Sequence, residues 1–93
     1  MAKETDPLPR VVDVLARRGA LDVFGVLTGG ALYERQVVAR CSGVAPSVVT
    51  QRIEDLRRLG AVETVPETGE LRLAPEGRRL QGVLDDLRRW AAR

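Results

Sequence analysis

Polar side chains near the middle of the chain have the chemistry to hydrogen-bond to the edges of nucleic-acid bases. Ser47, Thr50 and Gln51 are three and four residues apart, so they would share one face of a helix. In the major groove a glutamine amide can pair with adenine, and an arginine guanidinium can pair with guanine. The residues that we predict to contact bases are Ser47, Val48, Thr50, Gln51 and Arg52.

Other arginines are better suited to phosphate groups, which position a protein on DNA without specifying sequence. We predict this role for Arg35, Arg40 and Arg57, and Arg72 is a further candidate. The alternative is a solvated helix face, on which Glu54 and Arg58 pair at a spacing of four residues.

Catalysis is not indicated by any pattern in the sequence. The chain has no histidine, no nucleophile beside a base, no glycine-rich phosphate loop and no cluster of metal ligands, so we predict no enzyme activity, metal or cofactor. Asp85 and Asp86 are adjacent, so they diverge on a helix and cannot work as a paired acid and base. Cys41 is either a small buried hydrophobic residue or a redox sensor.

Composition indicates one small folded domain. Of 93 residues, 44% are hydrophobic and 30% are charged, and the net charge is +2, which permits nucleic-acid binding without requiring it. A single cysteine fits a reducing compartment. The N-terminus lacks the apolar segment of a signal peptide, and no stretch has membrane-spanning length. We therefore expect a cytoplasmic protein without membrane contact.

The base-contacting residues need a helix to position them, and 46–59 has the pattern of one. Val49, Ile53, Leu56 and Leu59 form its apolar stripe. Pro46 is favourable in a first helical turn, and Gly60 is suited to a left-handed cap.

The remaining pattern surrounds this helix with a helix-turn-helix and a hairpin. We predict a flexible arm over 1–9 and one domain over 10–93. Residues 31–32 connect two helices and could form a one-rung strand. Alternating residues on both sides of a Gly-containing turn predict a β-hairpin, which makes the fold mainly α with a small β-hairpin, in winged-helix order. The helices are expected at about 10–18, 20–27, 33–40, 46–59 and 76–92, and the hairpin strands at 61–65 and 70–73.

Large apolar residues on the first and last helices suggest a dimer. The last helix has a stripe that could simply cover the core of one chain, but the stripe exceeds what a small domain needs. We therefore predict that both terminal helices form a dimer interface, built by Val11, Leu15, Leu80, Val83, Leu84, Leu87 and Trp90.

The segments 43–53, 59–63, 71–80 and 83–90, together with Leu56, resemble HxlR-type regulators, within the broader MarR-like winged-helix group. The most specific pieces are Thr50-Gln51-Arg52 and the ending from Leu84 to Trp90. The resemblance implies a homodimeric, cytoplasmic, bacterial transcription regulator. It also implies that helix 46–59 enters the major groove and that the wing, 61–73, approaches the DNA backbone.

Several positions depart from the family pattern. The sensing cysteine that some members carry near the N-terminus has no counterpart, because Cys41 lies elsewhere. Ala45 stands where a capping serine is usual, and Ser47 replaces a basic residue. Glu67 and Glu70 give the wing tip charges that repel phosphates.

Two functions follow as hypotheses. The first is sequence-specific binding of double-stranded DNA, with two helices reading half-sites ~34–36 Å apart. The second is a winged-helix module that binds protein and has little DNA affinity. The sequence does not indicate a small-molecule effector.

Overall fold

The computed structural model describes residues 5–93, and these form five helices and a two-stranded antiparallel hairpin. The predicted winged helix-turn-helix is confirmed, since the hairpin directly follows the helix-turn-helix. The elements in chain order are α1 (Leu8–Leu15), α2 (Ala20–Leu27), α3 (Glu34–Arg40), α4 (Pro46–Arg58), β1 (Val62–Thr64), β2 (Leu71–Leu73) and α5 (Pro75–Ala91).

Helix α1 begins earlier and ends earlier than predicted. Prolines at its start do not delay it, because the N–H groups of a first helical turn have no helical partner, and Pro7 occupies the N-cap. The N–H of Leu8 donates instead to Asp6 Oδ1 at 2.9 Å. The arm predicted over 1–9 therefore overlaps α1 at Leu8 and Pro9, and its first four residues lie outside the described part. After Leu15 the chain turns through Gly19, which has a φ of 85°.

The core is built around α2, which packs against α4, α3 and β2. Phe24 and Leu27 of α2 and Ile53 and Leu56 of α4 are at most 1% exposed. Burial of these side chains fixes which face of α4 points inward.

Helix α4 begins and ends as its sequence predicts. Pro46 lies in the first turn, and Ala45 makes no side-chain cap. At the other end Gly60 has a φ of 85°, and the N–H of Ala61 donates to the carbonyl of Leu56 at 3.0 Å. This left-handed cap turns the chain directly into the wing.

The wing is short, and a third segment joins it. Val62 pairs with Leu73 and Thr64 with Leu71, while an isolated bridge links Leu32 to Leu71. The one-rung strand predicted in the α2–α3 connection is therefore confirmed. Gly69, with a φ of 81°, completes the turn of the hairpin.

Helix α5 starts in close contact with Ala61, the residue before β1, and continues along the core. A Cβ on Gly77 would lie 2.1 Å from the carbonyl oxygen of Ala61, so only glycine fits there. Farther along, Leu84 is 7% exposed and belongs to the core of the single chain. The prediction that Leu84 forms a dimer interface is thus corrected, because its side chain is already covered.

Candidate nucleic-acid interface

The outer face of α4 carries three of the predicted base-contacting residues. Ser47, Thr50 and Gln51 are exposed, and Val48 is half-buried and packs against the core. The opposite face holds Val49 and Ile53, which are at most 1% exposed. The packing therefore presents a row of small polar side chains to solvent, where they can approach a DNA groove.

Thr50 has a partner that the sequence did not reveal. Its Oγ1 donates to Glu34 Oε2 at 3.1 Å. Glu34 lies in the first turn of α3, and a separation of sixteen positions along the chain hides this contact from any local spacing rule. A carboxylate therefore stands beside the polar face of α4.

Arg52 does not belong to that face. Its side chain is 17% exposed, and its Nε lies 3.3 Å from Asp55 Oδ2. The prediction that Arg52 reads bases is therefore corrected, because its guanidinium is directed to a carboxylate within the protein. The signal was present in the sequence: Arg52 follows Val49 by three residues and precedes Leu56 by four, a spacing typical of the buried stripe.

Asp55 is the centre of this group, and its importance was not predicted. Its side chain is 5% exposed, and Oδ2 also lies 3.1 Å from Arg17 Nη1. Gln51 Nε2 donates to Oδ1 at 3.3 Å. Burial by itself would raise the pKa of Asp55, but the Gln51 hydrogen bond and the guanidinium groups of Arg17 and Arg52 outweigh it and hold the pKa below its ordinary value.

The arginines at the end of α4 are also paired. Arg57 Nη1 donates to Thr64 Oγ1 of β1, and its Nε lies 3.5 Å from Glu54 Oε1. Arg58 Nε lies 3.4 Å from Glu54 Oε2, which is the pairing that we considered as the alternative. Arg57 therefore links α4 to the wing, and its contact with a phosphate stays a prediction.

The wing has little positive charge to offer. Arg72 Nε lies 2.7 Å from Glu63 Oε2 on the paired strand. Glu67 is exposed, and Glu70 accepts a hydrogen bond from Thr68 at 3.0 Å. The carboxylate of Glu63 thus neutralises the wing arginine, and two more carboxylates surround the tip.

Arg35 and Arg40 are the predicted phosphate contacts that keep exposed guanidinium groups. Arg35 lies over the ring of Tyr33, 4.8 Å from its centroid. Within residues 5–93 neither arginine takes part in an ion pair. Both lie on α3, the helix that precedes α4 in the helix-turn-helix, as a phosphate-binding role requires.

Cys41 is buried in the turn after α3. It is 4% exposed and belongs to the core. Burial, with a smaller contribution from Asp22, raises the pKa of its thiol, which opposes formation of the reactive thiolate at neutral pH. The structure therefore favours the small hydrophobic residue over the redox sensor.

An apolar surface lies on the terminal helices. Val83, Leu87 and Trp90 of α5 are 55–60% exposed, and on α1 Leu8 is 60% exposed and Val12 is 53% exposed. Among the other predicted interface residues, Val11, Leu15 and Leu80 are half-buried. We call the five exposed side chains the terminal apolar surface.

Residues 5–93 have neither a candidate metal-binding cluster nor a candidate membrane-spanning helix. No group of three or more potential metal-ligating His, Cys, Asp or Glu side chains occurs within 5–93. None of the helices in this range is both long and apolar enough to span a membrane.

Comparison with known proteins establishes the fold of this chain. No protein-family model and no curated protein sequence matches it significantly. Solved structures do match, at sequence identities of 19–24%.

Quinone-bound YodB from B. subtilis has a TM-score of 0.81 at 19% identity, over 91% of this chain and 94% of that chain. A putative MarR-family transcriptional regulator from Enterococcus faecalis has a TM-score of 0.74 at 24% identity, over 98% and 90% of the two chains. The homodimeric winged helix-turn-helix domain of Mb0332 from Mycobacterium bovis has a TM-score of 0.64 at 21% identity, over 94% and 89%. The chain therefore has the winged helix-turn-helix fold found in these transcriptional regulators.

Proposed function

We propose that this protein binds double-stranded DNA sequence-specifically, as a homodimeric bacterial transcription regulator of the HxlR type. One observation carries the proposal: α4 presents Ser47, Thr50 and Gln51 to solvent while its opposite face is buried. A helix held in this way by a helix-turn-helix can enter a major groove with its polar face toward the bases. The likeness to transcriptional regulators supports this function.

The proposed contacts follow from the charges that remain exposed. Ser47, Thr50 and Gln51 contact base edges. Arg35 and Arg40 contact phosphates, because their guanidinium groups are exposed and outside the ion pairs described above. Arg72 contributes little, because Glu63 already neutralises it.

The proposed dimer forms through the terminal apolar surface. Exposed residues such as Leu87 and Trp90 are large and apolar, and a second copy would remove them from water. The Mb0332 domain is described as homodimeric, which supports the same assembly here. The HxlR assignment rests on the sequence resemblance centred on Thr50-Gln51-Arg52 and the C-terminal helix.

This function requires no catalysis and places the protein with the chromosome in the cytoplasm. The neighbours are transcriptional regulators and not enzymes. The YodB structure contains a bound quinone. In this chain the burial of Cys41 argues against sensing of any reactive molecule through its thiol.

The experiment that tests the proposal is selection of bound duplexes from random DNA, followed by affinity measurements over a range of salt concentrations. We expect a palindromic site. The logarithm of the association constant, log K, should fall linearly as the logarithm of the salt concentration rises. Absence of measurable duplex binding at low ionic strength would refute the proposal.

Binding to a protein partner is the second candidate function. It is favoured by the ion pairs that neutralise Arg57, Arg58 and Arg72 and by the acidic wing tip. The selection experiment discriminates between the two functions, because a protein-binding module would select no DNA sequence.

A further inference from the structure

Asp55 is the one charged residue that is buried within residues 5–93, at 6% exposure. Its contacts connect the segment that follows α1 with the polar face of α4. Its Oδ2 lies 3.1 Å from Arg17, which follows α1. Its Oδ1 accepts the amide N–H of Gln51, on the outer part of α4, at 3.3 Å.

The chemistry of Asp55 determines the orientation of the Gln51 amide. An ionised carboxylate only accepts hydrogen bonds, so the amide nitrogen, and not its oxygen, must face Asp55. The amide NH₂ has two hydrogens, of which Asp55 takes one. When the hydrogen on the Cγ side of the nitrogen faces Asp55, the second N–H and Oε1 lie side by side on the outward edge of the amide. That pair is a donor beside an acceptor, which matches N7 and the N6 amino group of adenine.

We propose that Asp55 is a positioning residue for base recognition, which holds the Gln51 amide so that its free edge pairs with adenine in the major groove. The inference rests on the proposed function, in which α4 enters that groove. It goes further because it assigns a preferred base to one side chain and a cause to that preference.

Two guanidinium groups lie beside the carboxylate as ion-pair partners. Arg52 and Arg17 both approach Oδ2, at 3.3 and 3.1 Å, and Arg17 is fixed in turn by Asp13 at 2.9 Å. Arg10 and Arg58 line the shallow depression next to Asp55. With this many guanidinium groups nearby, Asp55 stays ionised at neutral pH, in agreement with its lowered pKa.

Replacement of Asp55 by asparagine tests the proposal, because it keeps the shape and changes the hydrogen bonding. In Asp55→Asn the arginines claim the amide oxygen, which leaves the amide N–H₂ facing Gln51. Gln51 must then turn its own oxygen toward residue 55, which exchanges the positions of the donor and the acceptor on its outward edge. We expect the preference for adenine at one base pair of each half-site to fall ~5-fold or more.

The matched control is Glu54→Gln, which removes one negative charge from the same helix without a contact to Gln51. Both variants should raise general DNA affinity similarly, but only Asp55→Asn should change the base preference. In a Gln51→Ala background Asp55→Asn should no longer affect that preference. A folded Asp55→Asn variant with an unchanged base preference would overturn the inference.

The outcomes separate the inference from the proposed function. Absence of sequence-selective DNA binding in the wild type refutes both the proposed function and the inference. Selective wild-type binding with equal preferences in Asp55→Asn refutes the inference alone.

A measurement on the unmodified protein covers the case in which Asp55→Asn does not fold. The chain has three glutamines and no asparagine, so NMR shows only three side-chain amide groups. Among the described residues, the oxygens of Gln36 and Gln81 accept hydrogen bonds, whereas the nitrogen of Gln51 donates one. We expect one Gln51 amide proton to exchange with water more slowly than both protons of Gln81. Equal exchange rates would overturn the inference.

Discussion

At the scale of single residues, the arginines differ in whether a carboxylate already neutralises them. Arg52, Arg57, Arg58 and Arg72 lie within 2.7–3.5 Å of a carboxylate oxygen. Arg35 and Arg40 are exposed on α3 and take no part in these pairs. A guanidinium that is not held by an internal partner can contact a phosphate without first breaking an ion pair. The type of residue is thus insufficient to locate a DNA contact, and its partners must be known.

Replacement of Arg35 or Arg40 by alanine should weaken binding to all DNA sequences to a similar degree. Each phosphate contact contributes ~0.9 to the slope of log K against log salt. We expect each variant to reduce the magnitude of that slope by ~0.9, the contribution of one phosphate contact, in titrations of both a selected and a random duplex. Arg72→Ala is the control, which should leave affinity almost unchanged because Glu63 neutralises Arg72. A larger loss for Arg72→Ala than for Arg40→Ala would contradict this assignment.

The depressed pKa of Asp55 gives a prediction for stability. Because the folded-state pKa lies below the unfolded-state value, the contribution of the carboxylate is complete above the unfolded value and is lost as pH falls through the folded value. We expect Asp55→Asn to lower the free energy of unfolding at pH 7 by ~2 kcal/mol, less than for a fully buried pair because Arg17 is partly exposed.

Urea denaturation measures this difference between wild type and Asp55→Asn from neutral to acidic pH. The difference should shrink as the pH falls. Asp86→Asn, which changes an exposed residue of α5, should give little difference throughout. A gap between wild type and Asp55→Asn that stayed constant down to acidic pH would argue against a stabilising ionised Asp55.

At the scale of elements, two glycines of α5 have opposite surroundings. Gly77 is buried against the carbonyl of Ala61, whereas nothing lies within 4 Å of a Cβ on Gly82. The first glycine therefore allows α5 to approach the backbone of Ala61, directly before β1, and the second only adds flexibility to the helix.

Gly77→Ala should destabilise the protein by ~2 kcal/mol or more, because a backbone carbonyl cannot move aside as a side chain can. Gly82→Ala should instead stabilise it by ~0.5–1 kcal/mol, since alanine is the better helix former. Thermal or urea unfolding of both variants provides the comparison. Equal effects of the two substitutions would show that the contact between α5 and Ala61 is not close.

Local patterns predicted the elements well because their signals are local. The apolar stripe of α4 and the glycine after it predicted both its buried face and its end. Helix α1 begins two residues before the start that its sequence predicts, because a first helical turn tolerates proline and Pro9 does not delay it. The order of elements required only the change from helical to alternating periodicity after Gly60.

The partners of the site residues could not be predicted in the same way. The contact between Arg17 and Asp55 joins residues 38 positions apart, and that between Glu34 and Thr50 joins residues 16 positions apart. Such pairs depend on how helices cross, which periodicity does not specify. Spacing alone could have excluded Arg52 from the base-contacting residues, because it lies on the same helix stripe as Val49 and Leu56.

At the scale of the whole molecule, polar and apolar surfaces lie on different elements. The molecule measures 46 × 35 × 23 Å. The polar face belongs to α4, whereas the terminal apolar surface belongs to α1 and α5. Arg17, directly after α1, contacts Asp55 of α4. A dimer formed through the terminal helices would thus be connected by an ion pair to the helix that is proposed to read DNA.

Disruption of the terminal apolar surface should separate the dimer while each chain remains folded. Leu87→Asp or Trp90→Asp places a charge where a second copy would bury it, which is costly, but both side chains are more than half exposed in the single chain. We expect sedimentation to show monomers, far-UV circular dichroism to stay unchanged, and affinity for a palindromic site to fall much more than affinity for a single half-site.

Leu21→Asp is the matched control for this experiment. Leu21 is also a large exposed hydrophobic residue, at 46%, but it lies on α2, outside the proposed interface. Its replacement should leave both the oligomeric state and DNA binding unchanged. If the wild type itself sediments as a monomer at every concentration, or if Leu21→Asp dissociates the dimer as Trp90→Asp does, then the terminal helices are not the interface.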